Sequence, residues 1–220
     1  MRLLVVTLSI LLLTAAPSSA KIFGTTRAVP FTSQAPLAQW PISTFQDGCE
    51  EASLLIAHHW LTGKPFGSPQ AATREIEKIT AFEYHTFGKH LDMSTDDAAT
   101  LFKTYFHYPD VAVQHDIEAA DIIREIKAGN LVIVPAHGHI LRNPYYTPPG
   151  PDRHMLVIYQ YDSARDQFIT NDPGTRRGKG YRYSTSLLDK SIRDYPTGTH
   201  LPIVEVRKSM IVVKPTSQNP

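Results

Sequence analysis

Residues 47–61 read Asp-Gly-Cys-Glu-Glu-Ala-Ser-Leu-Leu-Ile-Ala-His-His-Trp-Leu and carry the clearest structural pattern in this chain of 220 residues. Within them, apolar side chains such as Ala52 and Ile56 recur at the three- and four-residue spacing of a helix that buries one face. The pattern predicts a helix from about Cys49 to Leu61. Gly63-Lys64-Pro65 should end it, because glycine and proline terminate helices. The first predicted helix therefore begins at the only cysteine of the chain.

Helix-capping residues predict two further helices after this one, and a third is predicted later in the chain. Ser68-Pro69 places serine at the N-cap and proline at the first helical position, which predicts a helix to about Phe82. Ser94-Thr95-Asp96-Asp97 has the spacing of a capping box and predicts a helix to about Tyr105. Another helix is predicted from about Ile117 to Lys127.

The second half of the chain changes character, because short apolar runs of strand type follow the capped helices. Strands are predicted over residues 131–135, 155–161 and 167–170, and residues 204–213 are predicted to contain a last strand. One helix is predicted over residues 185–195. Residues 28–31 are expected to form a short strand or an extended segment ahead of the first helix. Helices first and strands afterwards indicate an α+β domain, in which an N-terminal helical part packs on an antiparallel sheet.

The beginning of the chain has the pattern of a secretory signal peptide. A basic residue precedes the apolar run Leu3–Leu13, and Ser18-Ser19-Ala20 offer small residues for cleavage after Ala20. The apolar run is too short for a comfortable membrane span. We therefore divide the chain into a signal peptide at 1–20, one domain at 21–214 and a flexible tail at 215–220. We expect a secreted, periplasmic or extracellular protein with no stable membrane association after signal cleavage.

Composition argues against several classes of partner. Without residues 1–20, roughly 200 residues remain, enough for one hydrophobic core. Because Arg2 is lost with the signal peptide, the remaining basic residues equal the 21 acidic ones. A net charge near zero argues against a nucleic-acid surface and against an anionic-membrane surface. We expect a monomer that uses no cofactor.

Cys49 is the leading candidate for chemistry. A secreted protein usually carries paired cysteines or none, so a single cysteine calls for an explanation, and nucleophilic catalysis is the sharpest one. A helix N-terminus presents free N–H groups and a partial positive charge, which lower the pKa of a thiol. Glu50 and Glu51 act in the opposite direction, because nearby carboxylates raise a thiol pKa. The alternative is a buried, inert cysteine that packs as a small apolar side chain.

A thiol nucleophile needs a base, and the base needs an acceptor that fixes its tautomer. Among ten histidines, His154 stands directly before the apolar run 155–159, so a rigid strand would aim its ring. Asp172 or Asn171, at the end of the next predicted strand, would accept the ring N–H. The sequence Asn-Asp-Pro-Gly is also what an ordinary turn contains.

Other histidines are weaker candidates. His137-Gly138-His139 would give three histidine ligands for a metal together with His154. We expect no metal there, because a His-x-His pair on a loop is a weak signal. His58 and His59 lie inside the first predicted helix and are expected to be packing or surface residues.

Three segments together resemble the C39-like peptidase family, a branch of the papain-like cysteine peptidases. Val29-Pro30-Phe31-Thr32-Ser33-Gln34 resembles its opening strand, and residues 47–54, Asp-Gly-Cys-Glu-Glu-Ala-Ser-Leu, resemble its nucleophile helix. Residues 154–162, His-Met-Leu-Val-Ile-Tyr-Gln-Tyr-Asp, with Asn171-Asp172-Pro173-Gly174, resemble its histidine strand and Asp-Pro turn. The segments keep the order cysteine, histidine, aspartate.

The resemblance implies a papain-like α+β fold and thiol-based hydrolysis of a peptide or amide bond in a peptide or protein substrate. Carried over by position, Cys49 is the nucleophile, His154 the general base and acid, and Asp172 the residue that orients His154. Gln34 would donate its side-chain amide to the oxyanion hole beside the Cys49 backbone N–H, and Gln46 is the alternative donor.

The leading interpretation is a secreted cysteine peptidase with a Cys-His-Asp triad. A variant of it is cleavage or transpeptidation of peptidoglycan stem peptides, although no wall-binding repeat is visible in the sequence. An alternative of a different class is a non-catalytic binding module on a papain-like fold.

Overall fold

The computed structural model describes residues 21–88, 92–198 and 200–215. The predicted signal peptide at 1–20 and residues 216–220 of the predicted tail lie outside this part of the chain. The elements in chain order are β1 (Ile22–Gly24), α1 (Ser43–Gln46), α2 (Cys49–Thr62), α3 (Pro69–Phe87), α4 (Thr95–Phe106), β2 (Val111–His115), α5 (Ala119–Lys127), β3 (Leu131–Ala136), α6 (Gly138–Leu141), β4 (His154–Asp162), β5 (Gln167–Asn171), β6 (Lys179–Ser184), α7 (Thr185–Ser191) and β7 (Ser209–Val213). None of these helices is both long enough and apolar enough to cross a membrane.

Caps set the boundaries of the N-terminal helices, as the sequence predicts. The Ser68 hydroxyl accepts a hydrogen bond from the Ala71 N–H at 3.1 Å and opens α3. The Ser94 hydroxyl accepts one from the Asp97 N–H at 3.3 Å and opens α4. At the other end, α2 stops at Gly63, whose φ of 69° lies in the left-handed region that glycine adopts without strain.

Two predicted helix ends differ from the structure. α3 continues to Phe87 rather than ending near Phe82, because no glycine or proline interrupts it before Gly88. The helix predicted over residues 185–195 ends at Ser191, since the chain then leaves it to follow the sheet. Ile192 forms an antiparallel bridge with the last residue of β3.

The strands form one antiparallel sheet in the order β2-β7-β3-β4-β5-β6, and β1 pairs with the last three residues of β4, beyond the residues of β4 that pair with β3. The sequence does not predict β1, β2, β6, α1 or α6. β2 and β6 are edge strands, and the polar side chains at their exposed positions obscure the alternation that marks a strand. The last strand, which the sequence predicts within residues 204–213, begins at Ser209, because its pairing with the short β2 reaches no further, and Val204 is 89 % exposed.

Alternate residues of the central strands separate two hydrophobic cores. Ile133 and Val157 pack with side chains of α2, α3 and α4. Val132 and Leu156 pack on the opposite face with side chains of α5 and α7. Helices therefore cover both faces of the sheet, whereas the sequence predicts only the packing of the N-terminal helices. Burial on both faces explains why β3 has an uninterrupted apolar sequence.

The sheet brings three chain segments to one place. β4 and β5 run antiparallel with Val157 opposite Asn171, so the start of β4 lies beside the end of β5. α2 packs across β4. The N-terminus of α2, the first residue of β4 and the turn after β5 consequently surround a common cavity.

Candidate active site

Cys49 is the first residue of α2 and lies in the wall of a cavity of about 440 Å³. Its side chain is 5 % exposed and is a free thiol. Gln34, Gln46 and His154 line the same cavity. Four of the residues that the sequence singles out therefore meet at one cavity.

A hydrogen bond between α2 and β4 holds the cysteine helix against the histidine strand. Ser53 lies one helical turn after Cys49 on the same face of α2. Its hydroxyl donates to the Met155 carbonyl at 3.1 Å. Because Met155 follows His154 in the chain, this bond joins the two segments next to both reactive side chains.

His154 and Asp172 form a buried pair. His154 Nε2 and Asp172 Oδ1 are 2.8 Å apart, and the two side chains are 1 % and 0 % exposed. An ionised carboxylate only accepts hydrogen bonds, so Nε2 carries the ring proton and donates it to Asp172. Nδ1 is then the ring nitrogen that is left to take a proton from a thiol.

Asp172 is held as a carboxylate by a full set of donors. Besides His154, they are the Tyr146 and Tyr183 hydroxyls, both at 2.6 Å, the Asn143 amide at 3.1 Å and the Gly174 N–H at 3.0 Å. Burial alone would raise the pKa of Asp172, but the charge of His154 and these hydrogen bonds hold that pKa below its usual value. Asp172 is therefore ionised at neutral pH and fixes one tautomer of the imidazole.

Asn171, the other acceptor that the sequence leaves open, makes structural contacts instead. Its Nδ2 donates to the Pro30 carbonyl at 2.9 Å, and its Oδ1 accepts from the Gly180 N–H at 3.1 Å. These bonds tie the extended segment before α1 to the end of β5 and to β6. Of the two neighbours, the structure brings Asp172 to the ring of His154.

Gln34 lies between the Asp-Pro turn and the cysteine helix. Its backbone N–H donates to the Pro173 carbonyl at 2.9 Å. Its side-chain Nε2 donates to the Phe45 carbonyl at 3.1 Å and to the Gln46 carbonyl at 2.6 Å, so both amide hydrogens are in use. Within the part of the chain that the structure describes, the buried Oε1 has no hydrogen-bond partner. Gln46, in contrast, is exposed at the cavity.

Glu50 bonds directly to the thiol. Cys49 Sγ donates to Glu50 Oε2 at 3.0 Å, and the Tyr195 hydroxyl donates to Glu50 Oε1 at 2.6 Å. Burial raises the pKa of Glu50 to about 7, and the carboxyls of Glu51 and Asp92 add to the rise. Burial also raises the pKa of the Cys49 thiol well above its ordinary value, and Glu50 raises it further. The carboxylates and burial thus outweigh the helix N-terminus, and the resting thiol is protonated.

A buried acidic cluster lies behind Glu50. Glu51 follows it on α2, Glu83 approaches from α3, and all three side chains are at most 1 % exposed. The Thr80 hydroxyl donates to Glu51 Oε1 at 3.3 Å. Burial and the two neighbouring carboxyls raise the pKa of Glu83 well above its usual range, so Glu83 is uncharged at neutral pH. Because adjacent carboxyls oppose each other's ionisation, this cluster favours protonation of Glu50 near neutral pH.

Two groups of side chains near the cavity have the composition of metal ligands. The ligand atoms of each group lie within 4.8 Å of one another, and the groups are His137, His139 and Asp152, and Asp47, Asp92 and His200. Asp152 Oδ1 lies 3.4 Å from His139 Nε2 and 3.9 Å from His137 Nε2. His154, which the sequence would combine with the other two histidines, is bonded to Asp172 instead. Asp152, and not His154, is the third member of the group that contains His137 and His139.

The sequence does not reveal which side chains donate hydrogen bonds to Asp172 and Glu50. Tyr146 lies 26 residues before Asp172, and Tyr183 lies 11 residues after it. Tyr195 lies 145 residues after Glu50. No local pattern marks these tyrosines, because only the folded chain brings them to the carboxylates.

Comparisons with known proteins bear on the fold and the family. A solved structure of a Bacillus anthracis protein, provisionally named a C39-like peptidase, matches with a TM-score of 0.55 and 15 % sequence identity. The match covers 87 % of this chain and 98 % of that one and shows a shared fold. No curated protein gives a significant match. A model of the Peptidase_C39 like family matches residues 26–197. Since that match spans most of the chain, the protein belongs to this family, and the papain-like α+β fold predicted from its sequence is confirmed.

Proposed function

We propose that this protein is an exported cysteine peptidase that hydrolyses peptide or amide bonds through Cys49, His154 and Asp172. The observation that carries the proposal is the buried His154–Asp172 pair, 2.8 Å apart, beside a cavity that Cys49 and His154 both line. A catalytic thiol needs an oriented base next to the place where a substrate binds. Membership of a peptidase family supports a peptide or protein as the substrate.

The proposed reaction has two steps. In acylation, His154 Nδ1 takes the proton of Cys49 Sγ while the sulfur attacks the substrate carbonyl carbon. The carbon–nitrogen bond breaks, the imidazolium gives its proton to the leaving amine, and a thioester remains on Cys49. In deacylation, His154 takes a proton from water, the resulting hydroxide attacks the thioester, and the proton passes to the sulfur as the acid product leaves. Asp172 accepts the Nε2–H in both steps and stabilises the imidazolium.

Two N–H groups are proposed to stabilise the negatively charged oxygen of the intermediate. The Cys49 backbone N–H lies in the first turn of α2, where helix N–H groups have no partner within the helix. Gln34 would supply the second donor by releasing its longer bond, 3.1 Å to the Phe45 carbonyl. Gln46, exposed at the same cavity, is the alternative donor.

Glu50 gives the proposed reaction a preferred pH range. An ionised Glu50 opposes formation of the thiolate, whereas a protonated Glu50 can donate a hydrogen bond to it. Because the pKa of Glu50 lies at about 7, we expect the peptidase to work best at mildly acidic pH.

The decisive experiment replaces the nucleophile. On a mixture of peptides from digested proteins, Cys49→Ala should lower kcat/KM at least ~10³-fold, as loss of a nucleophile does in other covalent enzymes. Arg74→Gln, an exposed change on α3, should keep wild-type activity. Both variants should unfold at nearly the wild-type temperature. A Cys49→Ala variant with near-normal turnover would rule out the thiol mechanism.

The same assay separates the competing functions. Peptidoglycan stem-peptide fragments, added as a second substrate class, test for a cell-wall role. Peptide binding by the wild-type protein with no cleavage of any substrate would favour the non-catalytic binding module.

Export is proposed from the pattern of residues 1–20. N-terminal sequencing of protein collected outside the cytoplasm should give a start near Lys21. A start at Met1 in a membrane fraction would contradict export with cleavage.

A further inference from the structure

A second cavity, of about 350 Å³, adjoins the one that Cys49 lines. The two cavities share Trp40, Thr147 and Gly174, so they form one continuous groove. Arg176 and Arg177 line the second cavity. Both arginines are exposed and directly follow the turn that carries Asp172.

Arg176 and Arg177 give this second cavity a positive charge. Arg177 lies over the ring of Tyr145, with the guanidinium carbon 4.9 Å from the ring centre. Across the described ranges, neither Arg176 nor Arg177 forms an ion pair. In the neighbouring cavity, by contrast, the charge of Arg153 is paired, because its Nε lies 3.5 Å from Asp92 Oδ2. A guanidinium that is fixed against an aromatic face and has no ion pair within the described part of the chain is suited to bind a carboxylate through two hydrogen bonds.

The position of Gly174 indicates which part of a substrate would enter this cavity. A Cβ atom on Gly174 would lie 2.8 Å from Cε1 of the His154 ring, so this glycine, which both cavities share, lies against the imidazole. His154 must deliver a proton to the leaving amine, and that amine must therefore lie next to the ring. The residues attached to the leaving amine, on the C-terminal side of the cleaved bond, would extend from His154 into the second cavity.

We propose that Arg176 and Arg177 form a subsite for a carboxylate group on the C-terminal side of the cleaved bond. The carboxylate comes from an aspartate or glutamate side chain or from the free C-terminus of a short peptide. This subsite depends on the proposed peptidase function, because the direction of the substrate follows from the role of His154.

The turn that holds Asp172 also positions the subsite. The Thr175 hydroxyl accepts a hydrogen bond from the Arg177 N–H at 3.2 Å, and the Thr175 carbonyl accepts one from the Gly178 N–H at 3.3 Å. The backbone at the arginines is thereby fixed relative to the catalytic pair. The same short turn would therefore position both the arginines that bind the carboxylate and the Asp172 side chain that orients His154 toward the leaving amine.

The first test compares cleavage of matched substrates. Peptides that differ only by glutamate or glutamine within three residues after the cleaved bond are assayed with wild type, Arg176→Gln, Arg177→Gln and the double variant. Arg74→Gln removes one positive charge outside the groove and serves as the control. Wild type and the control should prefer glutamate about tenfold in kcat/KM, as expected for a charge-assisted contact at an exposed site. The double variant should cleave both peptides equally. A wild type without this preference, or a double variant that keeps it, would overturn the subsite.

A binding test separates the subsite from the peptidase function. The probes are Ala-Glu-Ala amide, Ala-Gln-Ala amide and Ala-Gln-Ala with a free carboxylate, titrated into the Cys49→Ala protein. The two charged probes should bind about tenfold more tightly than the neutral one, and Arg176→Gln with Arg177→Gln should abolish the difference. Charge-dependent binding without any cleavage by the wild type would refute the peptidase function and retain the carboxylate subsite. Equal binding of all three probes would refute the subsite even if cleavage is observed.

Discussion

Asp172 and Glu50 are both buried carboxyl groups, and each is hydrogen-bonded to a side chain of the proposed reaction. Five donors surround Asp172, and the positively polarised ring of His154 is one of them. Glu50 accepts from the Cys49 thiol and the Tyr195 hydroxyl but faces the carboxyls of Glu51 and Asp92. The first environment lowers the pKa of its carboxyl, and the second raises the pKa to about 7.

The difference shows that burial alone does not set the charge of a carboxyl group. Removal from water raises the pKa in both environments, and the neighbours decide the outcome. Around Asp172, hydrogen-bond donors outweigh burial. Around Glu50, like charges add to it. Asp172, beside His154, is thus charged at neutral pH, whereas Glu50, beside Cys49, changes its charge near pH 7.

Variants of His154 and Asp172 test whether Asp172 orients the imidazole. We expect His154→Ala to lower kcat/KM at least ~10³-fold, because the thiol loses its base. Asp172→Ala should be less damaging, and Asp172→Asn milder still, because an amide oxygen can accept the ring N–H. Steady-state kinetics of the four proteins with one peptide substrate measure these losses.

The double variant of His154 and Asp172 is the internal control. Residues that act as one unit show strongly non-additive effects, so the double variant should be little worse than His154→Ala alone. Losses that multiply would mean that Asp172 acts elsewhere, as a turn residue, and Asn171→Ala would be the next variant to measure.

Gln34 connects the turn that carries Asp172 to the proposed oxyanion hole, because its backbone N–H donates a hydrogen bond to the Pro173 carbonyl. We expect Gln34→Ala to lower kcat roughly 10²-fold with a much smaller change in KM, since an oxyanion donor acts mainly in the transition state. Gln46→Ala is the matched variant. If Gln46→Ala shows the loss and Gln34→Ala does not, the exposed glutamine is the donor.

The Glu50 environment is tested by removing its charge. In the wild type, Glu50 ionises as the pH rises through about 7 and then raises the pKa of the thiol, so activity should fall on the alkaline side. Glu50→Gln should move this alkaline limb to higher pH. It should also speed labelling of Cys49 by iodoacetamide at pH 8 about tenfold, the effect of one pKa unit on the thiolate fraction. An unchanged pH profile together with unchanged labelling would contradict the role given to Glu50.

The pH dependence of the unfolding free energy gives an independent measure of the raised pKa of Glu50. A carboxyl whose pKa rises on folding from 4.5 to about 7 contributes stability below pH 4.5, and the folded state loses it as the pH rises to 7. Glu50→Gln should therefore reduce the loss of unfolding free energy between pH 5 and pH 8, by about 3 kcal/mol at most. Urea titrations at the two pH values measure the difference.

The sequence predicts those features of the fold that depend on local chemistry. Ser68, Ser94 and Gly63 mark real helix boundaries, because capping involves residues only a few positions apart. The edge strands β2 and β6 escape prediction because their exposed faces are polar, and β2 in addition pairs with a strand that is distant in sequence. Within the segment 204–213, the sequence does not define where the last strand begins, because β2 determines where pairing with β7 ends.

The candidate site divides in the same way. The segments around Cys49, His154 and Asp172 each have a recognisable sequence, and the structure brings them to one cavity and the turn beside it. The hydrogen bonds of Tyr183 and Tyr195 cannot be predicted from the sequence, because only the folded chain brings these tyrosines to their carboxylate partners. The effect of Glu50 on the thiol can be anticipated from its position next to Cys49. Its own raised pKa cannot, because that depends on burial and on Asp92.

The hydrogen bond between the Cys49 thiol and the Glu50 carboxylate also affects how fast the cysteine is oxidised in an oxidising environment. Peroxides and disulfides react with the thiolate form of cysteine and only slowly with the protonated thiol. Burial and the adjacent carboxyl keep the pKa of Cys49 high, so the reactive form is scarce in the absence of substrate. In the compartment to which the proposed signal peptide would direct the chain, a single cysteine could thus persist reduced without a partner for a disulfide.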